Sequence, residues 1–356
     1  MSRLAALRAT LAAGRPLSGE DLDGFDFQGA GMTRAVFHRC RMRGARLGGC
    51  DLSRATFSGC DLAFADLRGA ALDGANLVAC ELSGILVGAA TVTRLVLAQC
   101  SLAGSDWRGL KLTQGAWSDC DLSGIRLAGA RLERSALLRS SWPGADLQGL
   151  SLRNSALPES DWRAVDCAGL EADTTVLGKA DFSGKDLAGL HLARCNFQEA
   201  VFDDADLSGA DLSGACCLKA RFLRTRLRGT RAPQALFLES NWHECDAEGI
   251  DLEEAVLRGA RVSGSRFDRA RLRRAVLAHG LHLRASYRDA DLSYADLSHA
   301  EFRHADFTGA DFAWGRHHAT RFHDSEFSGA KRRRAFATDT SLLAAERDAG
   351  IVEIPA

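Results

Sequence analysis

Three sets of side chains in this 356-residue chain are of types that do chemistry, and each recurs at a fixed spacing. Cys40, Cys60, Cys80, Cys100 and Cys120 stand 20 residues apart. Thiols stacked at about 4.8 Å, the spacing of neighbouring strands, could form disulfides or hold a soft metal. Seven of the ten histidines lie between 279 and 323, and His279 and His299 are also 20 apart. Zinc would need two further ligands in tetrahedral geometry, and no cysteine or carboxylate obviously converges there. Aspartates recur at intervals of five, as at Asp206, Asp211, Asp291 and Asp296, and superficially resemble the paired carboxylates of acid–base catalysts. The sequence offers no nucleophile, base and orienter set, no phosphate-cradling glycine loop and no metal-ligand spacing beyond what the repetition generates. We therefore expect no enzyme, no catalytic residue, no cofactor and no metal.

The elements that place these residues follow from the period. Large apolar residues fall at Leu22, Phe27, Met32, Phe37 and every fifth position to Phe322 and Phe327, giving 62 centres without a phase slip. Cys167, Ala172, Cys217, Ala232, Ala247, His282, Tyr287 and His317 are the exceptions to Leu, Phe, Val, Met or Trp. Two residues before each centre the side chain is usually small, as at Ala30, Ala35, Cys40 and Ala45. In an extended segment these two positions share one face, so together they make the core. The residue between them points outward, and the two after the centre are rich in glycine and polar types that suit a corner. Pro143, Pro158 and Pro233 fall just after a centre, where a turn tolerates them and a laddered strand would not.

The segments ADLSGADLSGA at 205–215 and ADLSYADLSHAEFRHADFTGADF at 290–312 show the unit in its clearest form. Over about residues 20–330 the chain resembles the pentapeptide-repeat family, whose motif is A(D/N)LXX. The resemblance implies an all-β fold, a right-handed quadrilateral β-helix with four units per coil, here about 15 coils. Residues 20 apart then stack, and at the usual strand spacing the solenoid would be roughly 75 Å long. We expect an N-terminal helical cap at 1–19, the β-helix at 20–330 and a C-terminal cap or tail at 331–356, because open strand edges need covering. Residues 2–13 should form a short amphipathic helix ending near Gly14–Pro16. A second helix is expected at 341–349, with Thr340 as N-cap and Gly350 as stop. The cysteine column continues as Ser140, Ser160 and Ala180, which marks a slot for small residues holding reduced thiols. His282 and His317 fall at centres, where a buried imidazole needs partners and could distort its coil.

Reading the sequence modulo 20 separates four faces. Just before every fourth centre stand Val36, Thr56, Asn76, Val96, Ala116, Ala136, Ala156, Val176, Asn196, Cys216, Leu236, Val256 and Val276, with Leu138, Leu218 and Leu238 at adjoining corners. The other three faces carry Asp, Arg, Glu and Ser at this position. We expect an exposed apolar stripe and, at Val96, Leu138, Val176, Leu218, Leu236, Leu238, Val256 and Val276, an interface for a protein partner or for self-association as a homodimer.

Forty-five basic and 46 acidic residues leave a net charge of −1, which selects neither nucleic acid nor a basic partner. Residues 221–284 hold 13 Arg and no Lys against 8 acidic residues. The aromatics that would stack on bases fall instead at core centres, so nucleic acid is not expected. No apolar run is long enough to span a membrane, Arg8 and Arg15 interrupt the N-terminal Ala/Leu stretch, and the expected location is the cytoplasm. The family resemblance implies non-catalytic binding: a scaffold or adaptor, on analogy an accessory to bacterial secretion machinery. Its alternative implication is DNA mimicry, binding and protecting DNA gyrase or topoisomerase. That role needs an acidic surface, whereas Arg replaces the outward Asp at 41, 46, 126, 131, 221, 226, 231, 261, 266 and 271.

Overall fold

A five-residue unit with one large and one small inward side chain cannot bury its own apolar face, so it must stack on copies of itself. The computed structural model, which describes residues 3–348, shows this stacking as a parallel β-solenoid of about 15 coils. The chain divides into two compact units, one up to Ala180 and one from Asp181.

One local geometry recurs in both units. At most centres outside the three-residue strands, the carbonyl accepts a hydrogen bond from the amide three residues on, as in Ala30 to Phe27 at 2.8 Å and Ala255 to Leu252 at 3.0 Å. The second residue after the centre takes a positive φ, 69° at Gly29 and 57° at Glu254, which closes a type II turn. Between coils, the amide of Leu22 donates to Arg41 and that of Arg41 to Glu20, at 2.7 and 2.9 Å. Leu252, Arg271 and Ile250 repeat this exchange at 2.8 and 2.9 Å. The ladder therefore advances by 20 residues, four units per coil. The motif aspartate is structural: Oδ1 of Asp51 accepts the Ser53 amide at 3.0 Å, and Oδ1 of Asp291 accepts that of Ser293 at 2.9 Å.

In the first unit, strands Leu17–Ser18, Val36–His38, Thr56–Ser58, Asn76–Val78, Val96–Ala98, Ala116–Ser118 and Ala136–Leu138 form a seven-stranded sheet. Thr91–Thr93, Lys111–Thr113, Arg131–Glu133, Ser151–Arg153 and Glu171–Asp173 form a five-stranded one. The thiols of Cys60 and Cys100 donate to the carbonyls of Phe37 and Leu77, both at 3.4 Å, 23 residues earlier. Ser155 and Thr175 make the same bond to Leu132 and Leu152, at 3.1 and 3.3 Å. Cysteine thus does here what a small hydroxyl does elsewhere, and all eleven cysteines are reduced thiols. Helix α1, Arg3–Ala12, is tied to the first coil by Arg3, which donates to the carbonyl of Asp21 at 2.7 Å, and by buried Leu7.

In the second unit, Arg221–Leu223, Asn241–His243, Arg261–Ser263, Leu281–Leu283, Glu301–Arg303 and Arg321–His323 form a six-stranded sheet. Its core is built on ring stacks: Phe182, Phe202, Phe222 and Trp242 follow one another at 5.3, 5.2 and 4.7 Å. Phe267, Tyr287, Phe307 and Phe327 do so at 5.3, 5.2 and 5.2 Å.

The coil holding His282 is not distorted: its strand keeps register with Val262 and Phe302, and the imidazole stacks on Phe302 at 4.5 Å. Two neighbours make this work. Tyr287 lies 2.7 Å from Nδ1, hydroxyl to ring nitrogen, and the usual small residue two positions back is reduced to Gly280. A Cβ on Gly280 would stand 2.5 Å from Nε2 of His282 and 2.9 Å from the Leu277 carbonyl. Gly280→Ala should therefore destabilise the protein by about 1–3 kcal/mol, whereas alanine is the ordinary residue at this position elsewhere. The check is thermal unfolding, where each lost kcal/mol should lower Tm by about 2–4 °C for a unit of this size.

Helix α2 spans Thr340–Asp348. Its cap is Asp339, not Thr340: Oδ1 of Asp339 accepts the amides of Ser341 and Leu342, both at 3.0 Å. Aspartate, with two acceptor oxygens and a negative charge at the positive end of the helix dipole, outcompetes the threonine that follows it. The expected stop at Gly350 lies outside the described residues.

Candidate functional site

In the first unit, the solvent side of the seven-stranded sheet carries Val36, Thr56, Asn76, Val96, Ala116 and Ala136 in one row and His38, Ser58, Val78, Ala98, Ser118 and Leu138 in the other. None is Asp, Glu, Lys or Arg. The five-stranded sheet of the same unit presents Lys111, Arg131, Glu133, Arg153, Glu171 and Asp173 at the equivalent positions. Isolated bridges carry the first row on through Ala156 to Val176. Charge frames the uncharged face at its corners, where Arg139 grips Asp119 through two bonds of 2.7 and 2.8 Å.

In the second unit the same column runs Asn196, Cys216, Leu236, Val256 and Val276, bridge by bridge, and ends at Asp296. Leu218 and Leu238 flank it. Of the eight residues expected to form an interface, Val176 and Leu236 are exposed, at 41% and 38%; Val96, Leu138, Leu218, Leu238, Val256 and Val276 are half-buried. Neighbouring coils cover the flanks of each side chain, so the column is a low apolar ridge, not a row of free side chains. Corner pairs border it, Lys219 with Glu239 at 3.6 Å and Arg274 with Glu254 at 3.2 Å.

Two ladders of the second unit neutralise themselves over part of their length, although like charges also stack in register, as at Asp146 and Asp166 and at Asp291 and Asp311. Several of the Arg residues that replace outward Asp alternate with Asp along the ladder: Asp206, Arg226, Asp246 and Arg266 are successive bridge partners, as are Asp211, Arg231, Asp251, Arg271 and Asp291; Arg131, Arg221 and Arg261 do not. In-register like charges a strand spacing apart repel, and alternation instead allows ion pairs such as Arg226 with Asp206 at 3.1 Å and Arg271 with Asp251 at 3.3 Å. In the first unit, hydrogen bonds from Arg108 hold the Asp106 carboxyl below the usual carboxylate range, and Arg126 adds to the effect from the next coil.

Not all aromatics are inside. Tyr294 is 46% exposed and stacks on Trp314 at 6.1 Å, one coil apart, because both occupy the positive-φ corner. Arg273 lies 5.5 Å from the Tyr294 ring and Arg334 lies 4.7 Å from that of Trp314. These guanidinium groups take the ring faces that a nucleobase would need. The 20-residue spacing of Tyr294 and Trp314 was a signal for this ladder.

The histidine-rich coils gain a carboxylate that the period does not reveal. Glu346 of α2 comes within 3.4 Å of His299 and 3.1 Å of His318, so the expectation that no carboxylate converges there is wrong. The reason is that α2 lies off the 20-residue lattice. His279 stacks on His299 at 4.8 Å, and burial and that neighbour hold it below the usual imidazole range. Among the described residues, no helix is long and apolar enough to cross a membrane.

The family model for pentapeptide repeats matches eight copies, over residues 17–49, 50–85, 180–216, 239–274 and 288–316. Comparison with curated proteins finds no match. Among solved structures, the chain is similar to HetL, a pentapeptide repeat protein involved in heterocyst differentiation regulation in the cyanobacterium Nostoc sp. strain PCC 7120. The identity is 22%, over 92% of this chain and 95% of HetL, with a TM-score of 0.21. It is also similar to a trypsin-treated variant of QnrB1, a plasmid-mediated fluoroquinolone resistance protein, at 16% identity over 75% of this chain and 100% of that one, TM-score 0.20. A pentapeptide repeat protein of the Arabidopsis thaliana thylakoid lumen is 24% identical over 39% of this chain and 69% of its own, TM-score 0.19. With its eight matched copies and a 20-residue ladder built from five-residue turns, the chain belongs to the pentapeptide-repeat family.

Proposed function

We propose that this protein is a non-catalytic protein-interaction scaffold or adaptor whose contact surface is the apolar column. The observation that carries this reading is the uncharged outer face of the seven-stranded sheet, beside a five-stranded sheet of the same unit that is charged at six of its ten equivalent positions. Nothing in folding requires the difference, since both sheets bury the same kind of centre and are laddered alike. The largest apolar patch on a protein surface is often its functional one. The ridge in the second unit, with Leu236 and Val256 at its middle, is the place to perturb it. A DNA-mimicking role has less support, because two outward Asp ladders of the second unit alternate with Arg over part of their length.

The first test is the solution mass of the full chain by light scattering, alongside Leu236→Asp/Val256→Asp. A mass above the 38.2 kDa of one chain that falls to one chain in the variant makes a second copy the occupant. A wild-type monomer leaves the column to another protein. An oligomer that the substitutions leave intact removes the column as the contact.

A further inference from the structure

The coils before α2 and the helix itself bring together three metal-ligating side chains that the scaffold reading does not use. Nε2 of His299 lies 3.4 Å from one carboxylate oxygen of Glu346, and Nε2 of His318 lies 3.1 Å from the other. The ligand atoms of the three residues all fall within 4.8 Å of one another. The side chains are 16%, 13% and 16% exposed for His299, His318 and Glu346, so the group is largely enclosed.

Zinc bonds of about 2.0–2.1 Å set ligand atoms about 3.3 Å apart along a tetrahedral edge. The two nitrogen–oxygen separations are close to that edge, but each runs to a different oxygen, so the Glu346 carboxylate must turn to offer one oxygen to the ion or span it with both. The fold also fixes the rings. His299 sits at a positive-φ corner, with His279 flat against it and His318 edge-on at 5.2 Å and 75°. His318 follows its coil's centre, His317, in the turn.

We propose that His299, His318 and Glu346 bind one divalent ion of the zinc class through the two Nε2 atoms and the carboxylate, with the fourth position facing the cleft beside them. That cleft, about 530 Å³, is lined by Ser298, Arg316, Asp339 and Leu342 among others. Two imidazoles and one carboxylate suit zinc, cobalt or nickel and not magnesium or calcium, which take oxygen ligands. Binding has one local cost. The Asp339 amide donates to Nδ1 of His318 at 3.2 Å, which leaves the proton of the neutral ring on Nε2, toward Glu346. On loading, that proton moves to Nδ1, where it faces the Asp339 N–H, so this hydrogen bond is lost and the two donors must draw apart as Nε2 takes the ion. The ion would join α2 to the coils carrying His299 and His318, a structural clamp with water in the fourth position.

The test uses the full chain, stripped with chelator at pH 7.5 and titrated with cobalt(II). The expected result is one equivalent bound, with the intense visible bands of tetrahedral cobalt, bleached by one equivalent of zinc. Glu346→Gln, which keeps size and shape and so leaves the fold intact, should weaken binding by at least about tenfold. His318→Ala should abolish the tetrahedral bands, and His304→Ala, outside the cluster, should leave them unchanged. Cobalt that fails to bind stoichiometrically, or that binds Glu346→Gln and His318→Ala as it binds the wild type, overturns the assignment.

Discussion

Replacing His282 and Tyr287 together by phenylalanine should flatten the stability of the second unit against pH between 6.5 and about 3. His282 is fully buried, Nδ1 lies against the Tyr287 hydroxyl, and Nε2 has no partner among the described residues. Burial drives the imidazole down from 6.5 to about 3. The sign follows from linkage: below pH 6.5 the unfolded chain takes up a proton that the folded ring refuses, so stability falls as pH falls. The penalty grows by about 1.4 kcal/mol per pH unit and is complete only below the folded value. Substituting both partners avoids an orphan, because each removes the other's buried hydrogen-bonding group, and phenylalanine keeps the stack on Phe302. At pH 7.5 the double variant should be at least as stable as the wild type, and at pH 4.5 more stable by about 3 kcal/mol. Urea unfolding at the two pH values measures this; parallel slopes in the two proteins would show that His282 is not the source of the acid sensitivity.

The second large effect belongs to the apolar column. Asp at 236 and 256 would place two carboxylates in the middle of an uncharged ridge. Burying an unpaired charge in a contact costs several kcal/mol, so binding should weaken by about a hundredfold or more. The two positions are in-register partners, and the fold should tolerate both changes because it already stacks aspartates this way at Asp146 and Asp166 and at Asp291 and Asp311. Position 236 is the outward one, and Asp is the motif residue there, able to accept the amide two residues on as Asp211 does for Ser213 at 3.0 Å. A loss of binding in this variant therefore reports on the surface and not on unfolding.

Much of the architecture is legible in the sequence because one short rule repeats. The centre, the small residue two before it and the stacking distance of 20 place Phe222 on Trp242 and the thiol of Cys60 beneath Phe37 without further information. Even the glycine at 280 can be understood from its neighbour, since the only other glycines two before a centre are Gly115 and Gly315, and the latter precedes His317. The uncharged column is legible for the same reason. Its half-buried character is not, because coverage by the coils above and below depends on rotamers that a one-letter pattern does not carry. The cluster of His299, His318 and Glu346 is invisible to the modulo-20 reading: Glu346 belongs to a helix, and where that helix lies follows from the Asp339 cap and the path of residues 331–339. The same cap explains the misplaced N-terminus of α2, where two adjacent residues both qualified.

What the ridge around Leu236 and Val256 touches decides whether this protein is a scaffold of the kind proposed. Wild-type protein, Leu236→Asp/Val256→Asp and Asn241→Asp/Ser263→Asp, the last pair placing the same charges on the six-stranded sheet, would be immobilised in parallel and the protein each retains quantified, including free copies of the chain itself. The wild type and the six-stranded-sheet variant should retain the same bound protein while Leu236→Asp/Val256→Asp retains none. Equal retention by all three, or equal loss from both variants, would contradict the assignment of the ridge as the contact surface.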